Sequence, residues 1–278
     1  MHPTINHMIQ LQELLLARDE QKAAGLDQHL EQLESSIHDF NQQLDEPFKT
    51  QFGKLSHRDR NVIVPVTDNT CSACRMALPI SLVQLVRMAK EVYACPSCAR
   101  YLYVPGDPVR NTSRGPKRFE VQKPGIARFS APTLMIPSLS SQDKEGVIRE
   151  LVSALHDGGF VDQKESLVEH AMNRESLLST AVDHGLAFPH VRGVEGGGLT
   201  LSVGIHKKGI HFDGPKGRLS RIFFFMVIPT AASSFYLKLL AGLTETFMVK
   251  GARDALLKAD TADDLWKTLT KLTKKAVK

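Results

Sequence analysis

The chain has 278 residues, 42% of them apolar, with 35 Lys and Arg against 30 Asp and Glu for a net charge of +5. That length suits two domains or one large one, and the mild basic balance excludes a dedicated polycationic nucleic-acid binder. No apolar run approaches the ~20 residues of a membrane span, and "MHPTINHMIQLQ" lacks the cationic start and apolar core of a signal peptide, so a cytoplasmic location is expected.

From residue 4 to 58 the pattern is helical and rich in Gln, Glu and Leu. Leu26, Leu30, Leu33, Ile37, Phe40 and Leu44 step by four and three alternately, a heptad seam that predicts a coiled coil or helical hairpin over residues 23 to 45. Projected backward, the seam meets Asp19 and Gln12, which weaken it, and Gly25, which disfavours a helix interior. Pro47 marks a turn into a second short helix. Self-association as a homodimer through the seam and a fold-back within one chain both fit. Nine acidic against two basic residues between Glu13 and Glu46 argue against this segment lying on nucleic acid.

The next segment, 60 to 104, opens on the strand-like "NVIVPV" and holds all four cysteines, Cys71, Cys74, Cys95 and Cys98, as two C-x-x-C pairs. Two such knuckles offer four thiolates to one tetrahedral ion, and an all-thiolate set leaves no position open for substrate. One structural Zn2+ is therefore expected. A segment of this size cannot fold on its core alone, so the metal would supply much of its stability. "VIVPVTDNTCSACRMALPISLVQLVRMAKEVYACPSCARYLY", preceded by a helical segment, resembles the C4-type zinc-ribbon family with an N-terminal helical hairpin. That resemblance implies the four cysteines as ligands and Met76, Leu78 and Pro79 as the run that follows the first knuckle. It also implies nucleic-acid or protein binding.

Residues 105 to 132 are rich in Pro, Gly and Ser, with six Lys or Arg against the single Glu120 between Val109 and Arg128. This reads as a flexible basic linker, either a solvated tether or an arm touching nucleic acid.

From 133 to 275 helix and strand signals alternate. "SQDKEGVIRELVSALHDGG" carries one apolar helical face, and "SLVEHAMNRESLL", "SSFYLKLLAGLTETF" and "TADDLWKTLTKL" are further helices. "GLAFP", "GLTLSVGI" and the almost wholly apolar "RIFFFMVIP" are strands, the last buried on both faces. The order predicts an α/β domain, a sheet with helices on its faces. In "GLAFPH", Gly185 permits a left-handed turn and Pro189 ends the strand, leaving His190 on rigid backbone at its end.

"NRESLLSTAVDHGLAFPHVRG", residues 173 to 193, resembles the active-site region of the fructose/mannitol- and nitrogen-type IIA domains of the bacterial phosphotransferase system (EIIA type 2). The likeness runs from about Leu134 to Leu272. It implies a mixed sheet flanked by helices, with His190 as phosphoryl acceptor from an HPr-like donor protein, Arg174 neutralising the phosphoryl oxygens and Thr180 bonding the imidazole or a phosphate oxygen. Arg192 is either a donor-docking residue or a solvated one, and His184, His206 and His211 are expected at the surface or in loops. Tyr236 stands where the family has a second histidine. A phenol cannot become a cation at neutral pH, which tilts the expectation toward a regulatory phosphocarrier that passes phosphate to a IIB or regulatory target. The alternative is a non-catalytic adaptor that binds protein or RNA through the ribbon and helices.

Overall fold

The computed structural model describes residues 2–25, 30–105, 125–194, 198–214, 217–229, 232–274 and 276–277. The chain divides into two compact units, Met1–Pro108 and Val109–Lys278.

In the first unit α1 (Pro3–Ala23) starts on His2, whose imidazole accepts from the Thr4 amide, with Pro3 in the first turn where its missing N–H costs nothing. Gly25 then adopts φ +67, a left-handed exit that an L side chain disfavours, so the heptad pattern does not run through as one helix. Helix α2 (Leu30–Gln42) returns antiparallel: Lys22 pairs with Glu34 at 3.2 Å, and His7 stacks on Phe40 with its Nε2 2.7 Å from the Phe40 carbonyl. Of the predicted seam, Leu33 and Leu44 are buried, and Ile37 and Phe40 pack against the core that holds Leu44. Leu26 lies outside the described residues. Helix α3 (Glu46–Arg58) begins with Pro47 in its first turn and buries Phe52.

The two polar breaks in the seam have a physical reason. Gln12 is buried, and its Oε1 accepts from the amides of Val62 at 2.7 Å and Ile63 at 2.9 Å, so it satisfies the backbone at the start of the next strand. Asp19 accepts from Arg60 Nε at 2.6 Å. Both side chains tie α1 to the cysteine-bearing segment.

That segment is a four-stranded sheet in the order β2-β1-β4-β3, made of β1 (Ile63–Thr67), β2 (Thr70–Cys71), β3 (Tyr93–Ala94) and β4 (Tyr101–Tyr103), with α4 (Ile80–Met88) between the two knuckles. Asp68 and Asn69 both take positive φ, the two-residue turn whose twist suits a tight hairpin between β1 and β2.

The second unit is a six-stranded mixed sheet flanked by helices. Its elements are β5 (Met135–Ile136), α5 (Lys144–Asp157), α6 (Lys164–Leu177), β6 (Ala181–Val182), β7 (Leu186–Ala187), β8 (His190–Val194), β9 (Thr200–His211), β10 (Leu219–Pro229), α7 (Ser233–Met248), α8 (Lys250–Leu257) and α9 (Ala262–Thr273). The order is β5-β9-β10-β7-β6, and β8 also pairs with β10. Strand β10 is buried without interruption from Ile222 to Pro229, as a central strand covered on both faces must be. Helix α5, capped by Asp143 on the Gly146 amide at 2.7 Å, buries Val147, Ile148, Leu151, Val152 and Leu155 completely.

Three expectations change. The strand β7 does end ahead of Pro189, but His190 does not sit at its end: it opens a second strand, β8, which pairs parallel with β10, Met226 opposite His190. The segment expected as linker is packed from Gly125 onward, with Ile126 and Phe129 buried and Ser130 Oγ donating to the Leu201 carbonyl at 2.7 Å. Its earlier part, 106–124, lies outside the described residues. Helix α8 was not expected at all. Among the described residues no helix is long and apolar enough to cross a membrane.

Candidate active site and metal centre

The four cysteine sulfurs all lie within 4.8 Å of one another. The two knuckles repeat one backbone geometry. Arg75 and Ala99 both have φ 61, and their amides donate at 2.8 Å to the carbonyls of Cys71 and Cys95, turning each Cys-x-x-Cys back on itself. Across the knuckles Cys71 Sγ is 3.8 Å from Cys98 Sγ, and Cys74 Sγ is 3.7 Å from Cys95 Sγ. A tetrahedron with metal–sulfur bonds of 2.3 Å has edges of about 3.8 Å, so the donor set and its spacing fit one zinc-sized ion. Burial pushes the Cys71 thiol up to about 12. Burial also acts to raise Cys98, but hydrogen bonds from the Arg100 backbone and side chain outweigh it and bring that thiol down to about 7.

In the second unit the backbone around His190 is fixed from several sides. His184 and Gly185 both sit in the left-handed region, and a Cβ on Gly185 would stand 3.0 Å from the Leu219 carbonyl. Phe188 donates its amide to the Thr180 carbonyl at 3.1 Å and stacks its ring on Phe224 at 5.2 Å. The Pro189 carbonyl accepts from the Met226 amide at 3.0 Å. Pro189 therefore interrupts donation but not pairing, and β7 and β8 run in line along one side of β10.

His190 is 2% exposed. Its Nδ1 lies 2.9 Å from the Phe188 carbonyl. A carbonyl only accepts, so Nδ1 carries the proton and Nε2 holds the in-plane lone pair. The hydroxyl of Tyr236, fully buried on α7, lies 3.3 Å from the same Nδ1, and the two ring centroids are 5.2 Å apart. On β8 the Arg192 guanidinium carbon sits 4.7 Å from the centre of the Tyr236 ring.

Arg174, near the end of α6, donates Nη1 to the Leu178 carbonyl at 2.8 Å, holding the chain that leads to Thr180. The hydroxyl proton of Thr180, expected to serve the imidazole or a phosphate oxygen, goes to Glu175 instead. Glu175 also accepts from the Thr180 amide at 3.1 Å. Glu175 is 4% exposed, and burial pushes its carboxyl up from the usual carboxylate range. From the sequence alone Glu175 has no assigned role. The signal that could have exposed its role is a Glu and a Thr five residues apart across the end of one helix. Of the other histidines, His184 and His211 are exposed, as expected, but His206 is buried in β9, with Nδ1 accepting from the Gly209 amide at 2.8 Å. The surface assignment of His206 is thus corrected. Its ring closes the bend in that strand.

Two family models match the sequence. One, described as the phosphoenolpyruvate-dependent sugar phosphotransferase system, EIIA 2, covers residues 129–272, and the other, the C4-type zinc ribbon domain, covers residues 70–102. The chain is 28% identical over 126 residues, 45% of its length, to the PTS system fructose-specific EIIABC component of Bacillus subtilis, of which it spans only 20%. It is 27% identical over 117 residues, 42% of its length, to the PTS system fructose-specific EIIA component of Haloferax volcanii, spanning 76% of that protein. The nitrogen regulatory protein IIA-Ntr from Neisseria meningitidis superposes with a TM-score of 0.48 at 23% identity, over 52% of this chain and 99% of the other.

Proposed function

The chain belongs, through residues 129–272, to the EIIA 2 family of the phosphoenolpyruvate-dependent sugar phosphotransferase system, and on that premise we propose that its second unit is a phosphocarrier using His190. The observation that carries the reading is the Phe188 carbonyl at 2.9 Å from His190 Nδ1, which commits the proton to one nitrogen and leaves Nε2 as nucleophile. The donor is an HPr-like phosphohistidine protein. The Nε2 lone pair forms the new N–P bond while the electron pair of the broken bond returns to the donor's imidazole. As the His190 ring gains positive character, its Nδ1–H bond to Phe188 strengthens. Arg174 is the residue assigned to the phosphoryl oxygens, and Thr180, held by Glu175, keeps the segment before His190 in place through the Phe188 amide. Tyr236 stands beside the imidazole without adding a second titrating ring. With one phosphate-bearing histidine, the phosphorylated state of the domain serves as a regulatory readout, passed to a IIB-type or regulatory target in the cytoplasm. In the first unit, one zinc held by Cys71, Cys74, Cys95 and Cys98 keeps the ribbon folded, with no part in the transfer.

The test is labelling of the full chain with phosphoenolpyruvate, enzyme I and HPr, read by intact mass. One acid-labile, base-stable phosphoryl group is expected on His190 and none on His190→Gln, which keeps a polar side chain but has no ring nitrogen. An unlabelled wild-type chain beside a competent control IIA domain would remove the phosphocarrier reading and leave a binding role in its place.

A further inference from the structure

A phosphoryl group on His190 brings nearly two negative charges into a site where the imidazole is 2% exposed, so cations must sit within reach of its oxygens. Arg192 meets that need by position. It follows His190 by two residues in β8, so the two side chains leave the same face of the strand about 7 Å apart. Its guanidinium lies 4.7 Å from the centre of the Tyr236 ring, and the hydroxyl of that ring is 3.3 Å from His190 Nδ1. One fully buried aromatic side chain therefore touches the nucleophilic residue and seats the guanidinium. A ring-face contact engages a guanidinium through its plane, and the N–H edge of a guanidinium is what matches phosphate oxygens.

We propose that Arg192 is a phosphoryl-binding residue of this site, positioned by the ring of Tyr236. This rests on the phosphocarrier reading above. As the Nε2–P bond forms and the donor's P–N electron pair returns to the donor, the Arg192 N–H groups take equatorial oxygens of the group in flight. Tyr236 acts through Arg192, as a positioning residue.

The experiment is time-resolved labelling of the full chain by phosphorylated HPr over a range of donor concentrations, with Trp266 fluorescence checking the fold of each variant. Arg192→Gln should lower the rate at saturating donor about thirtyfold, and Arg192→Lys, which keeps the charge but neither the planar fork nor the ring stacking, should recover only part of that loss. Tyr236→Leu, which removes the ring, should slow transfer in the Arg192 background and add nothing further to Arg192→Gln, because both act on one cation. Arg192→Gln labelling at the wild-type rate, or a folded Arg192→Lys as slow as Arg192→Gln, would overturn the assignment while leaving His190 as acceptor. A wild-type chain that takes no label beside a competent control would overturn both.

Discussion

Replacing Glu175 tests how the second unit fixes the segment before His190. The carboxylate is 4% exposed and accepts from both the amide and the hydroxyl of Thr180. Glu175→Ala leaves two buried donors unpaired at about 1–3 kcal/mol each, so a loss of about 3–5 kcal/mol is expected once the small cavity is included. Glu175→Gln is different. Its oxygen can accept from the Thr180 amide while its NH2 donates to the Thr180 hydroxyl, so both contacts survive and only the titration disappears. Burial raises the folded pKa of Glu175 above the usual 4.5. Its contribution to stability is therefore fully present below that unfolded value and is lost as pH rises through the folded value, by about 1.4 kcal/mol for each pH unit between the two. The single tryptophan, Trp266, lies on α9 and reports unfolding of this unit alone. Urea unfolding from pH 4.5 to 7.5 should show wild-type stability falling relative to Glu175→Gln as pH rises, the histidine titrations common to both cancelling in the difference. Parallel curves for the two proteins would refute the argument from burial. A Glu175→Ala loss below about 1 kcal/mol would refute the argument from the two Thr180 bonds.

Freshly reduced protein should contain one zinc per chain by elemental analysis. Its removal with a strong chelator should unfold the segment between Val62 and Tyr103 without changing Trp266 fluorescence; metal-free protein, or a disulfide between the cysteines, would remove this prediction. Leu33→Asp replaces a side chain of α2 that is 7% exposed with a carboxylate, at a cost of several kcal/mol, and should lower helicity by circular dichroism. Light scattering on the same variant tests self-association through the seam: a drop in mass supports a homodimer, and unchanged mass with lower helicity assigns the seam wholly to the intrachain hairpin.

What could be read from the sequence was whatever local spacing encodes. The two Cys-x-x-Cys pairs, the apolar face of α5 and the unbroken apolar run of β10 each state their structure within a dozen residues or so. What could not be read depended on partners far along the chain. Gln12 and Asp19 read as flaws in a heptad because Val62, Ile63 and Arg60, which they bind, lie at least 41 residues away. Pro189 read as a stop because proline cannot donate, yet its carbonyl still pairs with Met226. Ile126 and Phe129 were hidden inside a stretch whose charge suggested a solvated tether. His190, Arg174, Thr180 and Tyr236 came from a motif resemblance, whereas the bond between Glu175 and Thr180 and the seating of Arg192 on Tyr236 came only from the fold.

The parallel pairing of β8 with β10 also sets an order of events during synthesis. Val66 finds Cys71, and Ile63 finds Tyr101, within the first 108 residues, so the first unit can close as soon as it has cleared the ribosome. His190 opens a strand that pairs with one made after it. Its strand partner, Met226, is translated 36 residues later, and Tyr236 later still. A nascent or truncated chain that ends before Pro229 thus carries a finished first unit and an unformed phosphoryl site, and the acceptor is among the last parts of the protein to be assembled.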